Sequence, residues 1–135
     1  MTKRKEKQLI IKLTNGHTND KDFILENIEK TTKILKFIDK SLFEDREFMK
    51  QIITKNGFAL EYMPKEFQDD KEIVLIALRE SAGFALKYAS KRLRADREVV
   101  YQAVKKYIRP VDYASQELQD EINKKREEYY IKHKV

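Results

Sequence analysis

Residues 57–72 read GFALEYMPKEFQDDKE, and residues 83–98 read GFALKYASKRLRADRE. The two stretches match at an offset of 26 residues, and the offset continues outward from them. Asp20, Asp45, Asp70 and Asp96 are spaced by 25, 25 and 26 residues. A fixed period of this size is the signature of a repeat array. If the period is structural, the apolar positions should recur with it. At three, four, seven and eight residues after each Asp stand Phe23, Ile24, Asn27, Ile28; Phe48, Met49, Ile52, Ile53; Ile73, Val74, Ala77, Leu78; and Val99, Val100, Ala103, Val104. Only Asn27 breaks the set. That spacing places the side chains on one face of a helix. Each Asp is then the N-cap, accepting hydrogen bonds from the first free N–H groups. The acidic residue two places later (Asp22, Glu47, Glu72, Glu98) complements the helix dipole.

A second element recurs behind the first. Phe37, Tyr62, Tyr88 and Tyr113 form an aromatic series, preceded by Ile34-Leu35, Ala59-Leu60, Ala85-Leu86 and Pro110-Val111. This predicts a second helix of about two turns, with Gly57 and Gly83 at the bend before it. Two residues after each aromatic stand Asp39, Pro64, Ser90 and Ser115, suited to start a one-turn helix that returns Leu42, Phe67, Leu93 and Leu118 to the core. A single unit has too little apolar surface to fold alone, so neighbours must share one core. The expected fold is all-α: a short right-handed-type helical repeat array of four units of about 25 residues, with a C-terminal capping helix over residues 121–135. Leu60, Tyr62, Ile73, Ala77, Leu86, Tyr88, Val100 and Ala103 should be among the least exposed residues. Ile122, Tyr129 and Tyr130 should face inward from the last helix. Residues 1–19 show no clear helical face and read as a basic tail with a short extended piece at Leu9–Leu13. Residues 20–135 form a single repeat domain.

The repeat resembles the tandem-repeat "domain of unknown function 4116" family over about residues 45–120. DREVV at 96–100, GFAL at 57–60 and 83–86, and YAS at 88–90 and 113–115 carry the likeness. The fourth unit departs from it, with Ile108-Arg109-Pro110 in place of the glycine bend. The resemblance implies an α-helical fold and transfers no functional residues.

Composition narrows the function classes. Three Gly and two Pro in 135 residues leave few chain breaks, which favours helices. With no Cys, disulfides and thiolate chemistry are excluded. Leu9-Ile10-Ile11 is too short for a signal peptide or a membrane span, so a cytoplasmic location is expected. His17 and His133 lie near opposite ends, without metal-ligand spacing. The serines lack a nucleophile-elbow context, the glycines form no phosphate loop, and Asp70 of the Asp69-Asp70 pair is accounted for as a cap. The expectation is therefore a protein that is not an enzyme and uses no cofactor and no metal.

The charge distribution gives the one functional signal. Residues 87–109 carry eight basic and two acidic side chains, and residues 13–86 carry 11 basic and 14 acidic. The candidate partner-binding residues are Lys91, Arg92, Arg94, Arg97, Tyr101, Lys105, Lys106 and Arg109. Arg97, Tyr101 and Lys105 share the helical face opposite Val99, Val100, Ala103 and Val104. The expected function is a non-catalytic protein-binding module, an adaptor or an inhibitor, that sets this basic edge against an acidic protein partner. The alternative is a nucleic-acid binder contacting phosphates through the same residues. Against the alternative, the recurrent tyrosines are in core phase and not interleaved with the bases as stacking platforms. The bland reading of the segment is a solvated basic face. No membrane surface and no small-molecule substrate are indicated.

Overall fold

The computed structural model describes residues 1–134. Among them there is no strand, and every regular element is helical. In order it forms α1 (Lys3–Thr14), α2 (Lys21–Asn27), the 3₁₀ helices η1 (Thr32–Lys36) and η2 (Lys40–Glu44), then α3 (Arg46–Lys55), η3 (Gly57–Tyr62), α4 (Lys65–Gln68), α5 (Lys71–Glu80), η4 (Phe84–Tyr88), α6 (Lys91–Arg94), α7 (Arg97–Ala103), η5 (Arg109–Tyr113) and α8 (Gln116–Lys132).

The four periodic aspartates open α2, α3, α5 and α7. Asp20 accepts from Phe23 N–H at 3.0 Å, Asp45 from Phe48 at 3.0 Å, Asp70 from Ile73 at 3.1 Å and Asp96 from Val99 at 3.2 Å. The apolar face behind each cap is buried as its spacing requires. Ile24, Met49, Ile52, Ile53, Ile73, Val74, Ala77, Val99, Val100 and Ala103 are all fully enclosed. Phe23 and Val104 are half-buried. Asn27 is buried, and its amide donates to the Phe23 carbonyl while its oxygen accepts from Lys30, so the polar exception is satisfied. α3 touches α2 on one side and α5 on the other, and α5 touches α7. η1, η3, η4 and η5 contact one another in the same order.

The second element is 3₁₀, not the two-turn α-helix its apolar spacing suggests. Each piece has only five or six residues, and η3, η4 and η5 each end on an extended residue, Met63, Ala89 and Ala114. A 3₁₀ helix covers more length per residue and closes its bonds in fewer residues, so it suits a short bridge. The change of period turns the aromatic series outward. Leu60 and Leu86 are fully buried, but Tyr62, Tyr88 and Tyr113 are only half-buried and Phe37 is 41% exposed.

The one-turn pieces are capped as expected by Asp39, Ser90 and Ser115. The backbone N–H of each also reaches back to an earlier segment: Asp39 to the Thr18 carbonyl, Ser90 to Gln68 and Ser115 to Arg94, each at 2.8 Å. Pro64 stands at the corresponding place and has no N–H to give.

The two bend glycines answer to the same kind of neighbour by different routes. A Cβ on Gly57 would lie 2.4 Å from the Ala77 carbonyl oxygen, and one on Gly83 would lie 1.8 Å from that of Ala103. Both glycines let the neighbouring helix approach the bend. Only Gly83 also has a left-handed backbone, at φ 92°, next to Ala82 at φ 53°. Ala82 is the extra residue of the longer spacing, and the bend absorbs it there.

Both ends correct the sequence reading. Residues 3–14 are a helix, not a tail or an extended piece. Thr2 caps it, and Leu9, Ile10 and Leu13 lie on one side, with Leu13 fully buried. Glu6, one turn earlier, accepts from Thr31 and Lys33, so the face is half polar and its period is hidden from an apolar count. At the other end the last one-turn piece and the final helix are continuous as α8. Ile122 is buried, but Tyr129 and Tyr130 are 58% and 64% exposed, because α8 runs past the body it packs on.

Candidate functional site

The helices opened by periodic aspartates are tied together by ion pairs of constant register. The residue after each capping Asp is basic, and its side chain reaches the acid one period on. Lys21 meets Asp45 at 2.7 Å, Arg46 meets Asp70 at 2.9 Å, Lys71 meets Asp96 at 3.0 Å, and Arg97 meets Glu121 at 3.0 Å. The acid two places after the cap joins in: Arg46 and Lys50 both reach Glu72, and Lys71 reaches Glu98. Asp45, Asp70 and Asp96 thus each accept from their own helix and from the preceding one. The Lys21 ammonium and the Phe48 N–H hold the Asp45 carboxyl below the usual carboxylate range. At Asp96 burial opposes ionisation, but Lys71 and the Val99 N–H outweigh it and the net shift is downward. Arg97 lowers Glu121. The Lys or Arg after each Asp is legible in the sequence, as is its distance to the next acid. The charge count missed it because a total does not record register.

This ladder draws in part of the expected basic edge. Arg97 is paired with Glu121, and Tyr101 sits at the same carboxylate, donating its hydroxyl at 3.3 Å while accepting from Lys125. Arg92 donates its Nε to Asp69 at 2.9 Å and a terminal nitrogen to the Asp69 carbonyl. The Ser90 hydroxyl donates to the same carboxylate, and Ser90 and Arg92 together hold it below the usual range. Asp69 therefore fastens α6 to the end of α4. Arg94 is half-buried, and its Nε is enclosed without a hydrogen-bond partner. Lys91, Lys105, Lys106 and Arg109 are exposed. None of these four has a carboxylate within salt-bridge distance among the described residues.

Two of the four, Lys105 and Lys106, rim a groove of about 530 Å³ between α5 and α7. Its wall is apolar, formed by the half-buried Leu75 and Ile76 and by Leu78. Its two acids are already neutralised, Glu72 by Lys50 at 2.7 Å and Glu98 by Lys71 at 2.8 Å. Arg79 is bonded to Glu80. The groove is therefore apolar inside and positive at its α7 end. Sequence reasoning placed Lys105 and Lys106 but not Leu75 and Ile76. They lie just outside the three-four-seven-eight set, and only packing reveals which side of a helix faces a cleft.

Among the described residues no cluster of His, Asp and Glu is arranged to hold a metal. No helix there is long and apolar enough to cross a membrane. His17 is occupied by Asp20 at 2.9 Å and stacks on Phe23. His133 bonds the Tyr129 carbonyl.

Comparison with curated proteins and with solved structures finds no match. Comparison with family models finds one family twice in tandem, over residues 45–82 and 80–119. The two matches cover the two glycine bends, the caps Asp45, Asp70 and Asp96, and the ladder between them. The chain therefore belongs to the family described as a domain of unknown function, DUF4116.

Proposed function

We propose that this chain is a non-catalytic protein-binding module, built as a short array of four helical units. It would hold an acidic segment of a partner in the groove between α5 and α7. Three features support the array: the recurring caps, the ion-pair ladder of constant register, and the glycines set against the carbonyls of Ala77 and Ala103. Such arrays present extended, rigid binding surfaces.

The observation that carries the binding reading is the charge state of the groove. Its carboxylates are used up within the chain, while Lys105 and Lys106 stand at its rim beside Leu75 and Ile76 with no carboxylate partner among the described residues. An occupant with apolar side chains and carboxylates matches both features, since complementary charge steers association and fixes register. The basic edge of the sequence reading thereby contracts to Lys105 and Lys106, with Lys91 and Arg109 outside the groove. Arg92 and Arg97 are engaged within the fold.

One observation favours a second reading, contact with a nucleic-acid backbone. Tyr62 and Tyr88 are half-exposed, with Lys36 and Lys87 over their rings at 5.3 and 4.9 Å, so aromatic and basic groups do alternate along the 3₁₀ row.

A photo-crosslinking residue at position 102, in the groove, separates the readings. The protein reading expects one acidic protein crosslinked from native lysate, lost in Lys105→Glu/Lys106→Glu, with weak binding to random oligonucleotides near physiological salt. Tight oligonucleotide binding that falls steeply with salt and is lost in Lys36→Glu/Lys87→Glu would replace it with the nucleic-acid reading. Absence of both would return the groove to ordinary solvated surface.

A further inference from the structure

Residues 122–131 read Ile-Asn-Lys-Lys-Arg-Glu-Glu-Tyr-Tyr-Ile. About the midpoint between Arg126 and Glu127 this stretch is complementary to its own reversal. Arg126 corresponds to Glu127, Lys125 to Glu128, Lys124 to Tyr129, Asn123 to Tyr130 and Ile122 to Ile131. Two antiparallel copies of a helix related by a twofold axis at that midpoint bring together those pairs that share the contacting face, and at 3.6 residues per turn these are Arg126 with Glu127 and Asn123 with Tyr130. Cation then meets anion, and amide meets phenol. A parallel pairing would instead set Arg126 against Arg126.

Beyond Ile122 this stretch is tied to the rest of the fold through Lys125, which bonds Tyr101. Beyond Ile122, every described residue of α8 is exposed. A helical stretch of this length gains little stability from its backbone alone. Three large hydrophobic side chains follow one another along it: Tyr129 is 58% exposed, Tyr130 64% and Ile131 76%. Asn123, Arg126, Glu127 and Tyr130 line one shallow groove on the helix, so they share a face. The twofold axis pairs these four among themselves, Asn123 with Tyr130 and Arg126 with Glu127. Beside them, a second groove of about 290 Å³ lies between α7 and α8, lined by Val104, Ile108, Ile122 and Tyr129 among others.

We infer that the C-terminal half of α8 is a self-association surface, on which two copies of this chain pair antiparallel with their twofold axis at Arg126 and Glu127. Self-complementarity selects a second copy over an unrelated partner. Another protein would need one end basic and the other acidic and aromatic, in reverse order, which is what this helix already is.

Sedimentation equilibrium of the full chain over about 1–300 μM tests the inference. The expected result is a species of twice the 16.2 kDa chain mass that dissociates on dilution. Arg126→Glu places two acids against each other on both sides of the twofold axis, and Glu127→Arg places two bases there. Each variant should weaken dimerisation at least about tenfold. An equimolar mixture of the two should regain dimers, because the two adjacent acids of one variant then face the two adjacent bases of the other. The double variant Arg126→Glu/Glu127→Arg should also dimerise. Tyr130→Ser should weaken association with no change of charge. Circular dichroism of the single variants should match the parent, because both side chains are exposed. A chain that stays monomeric across the range overturns the inference. So does a dimer indifferent to Arg126→Glu, or a mixture that remains monomeric.

Discussion

The three glycines form a natural series for testing how the bends are built. Gly16 has φ 102° with nothing within 4 Å of an added Cβ. Gly57 has no left-handed backbone, but its Cβ would meet the Ala77 carbonyl oxygen at 2.4 Å. Gly83 combines φ 92° with a Cβ at 1.8 Å from the Ala103 oxygen. Substitution by Ala therefore isolates backbone strain at Gly16, steric conflict at Gly57, and both at Gly83. An ordinary carbon–oxygen approach is about 3.3 Å, so α5 would have to retreat by about 1 Å and α7 by about 1.5 Å. The obstacle in both cases is backbone, which cannot swing aside as a side chain does. Left-handed strain at a non-glycine residue costs about 1 kcal/mol, the expected loss for Gly16→Ala. Overpacking of this kind costs about 1–3 kcal/mol, so Gly57→Ala should lose about 2 kcal/mol. Gly83→Ala should lose about 3–4 kcal/mol, a large part of the stability of a domain of this size. At about 3–5 °C per kcal/mol, the Gly83 variant should melt roughly 10–20 °C below the parent. Urea unfolding followed by circular dichroism gives the three free energies. A silent Gly57→Ala, or a Gly16→Ala as damaging as Gly83→Ala, would refute the close approach of bend and neighbouring helix.

Ala82 holds φ 53° beside Gly83, so Ala82→Gly should stabilise the fold by about 0.5–1 kcal/mol in the same assay, against the usual cost of a glycine. Asp96→Ala removes a cap bond and the partner of Lys71, and should cost about 1 kcal/mol by urea titration. In Asp39 the Ser41 contacts, and in Asp45, Asp69, Glu72 and Glu121 chiefly bonds to Lys21, Ser90, Lys50 and Arg97, lower the folded-state pKa. The unfolded chain then binds more protons at acidic pH, so their stabilisation is present above the ordinary carboxylate range and is lost as pH falls through the folded values. Melting temperature should be nearly flat between about pH 5 and 8 and should drop below about pH 4. A melting temperature that rises on acidification would contradict the ladder.

The sequence by itself determined the parts of this protein that depend on local chemistry repeated at a fixed interval. Asp20, Asp45, Asp70 and Asp96 announce their helices because an N-cap needs only its own next turn. The buried faces behind them follow from helical period alone. The ladder was equally available in Lys21, Arg46, Lys71 and Arg97, had register been counted instead of charge. Tertiary structure decided the rest, for reasons no single segment contains. Whether the element after each bend is α or 3₁₀ depended on the length left to span between neighbours, and that choice turned Tyr62 and Tyr88 half outward. The helix at residues 3–14 was hidden because Glu6 occupies its inner face, and that carboxylate is satisfied only by Thr31 and Lys33 from a distant segment. Gly57 and Gly83 look alike in sequence, yet one is required by contact alone and the other by contact and backbone conformation together. The groove at Lys105 and Lys106 exists only because α5 and α7 lie side by side. Its positive rim exists only because Lys50 and Lys71 had already neutralised Glu72 and Glu98, a pairing set by how the helices stack.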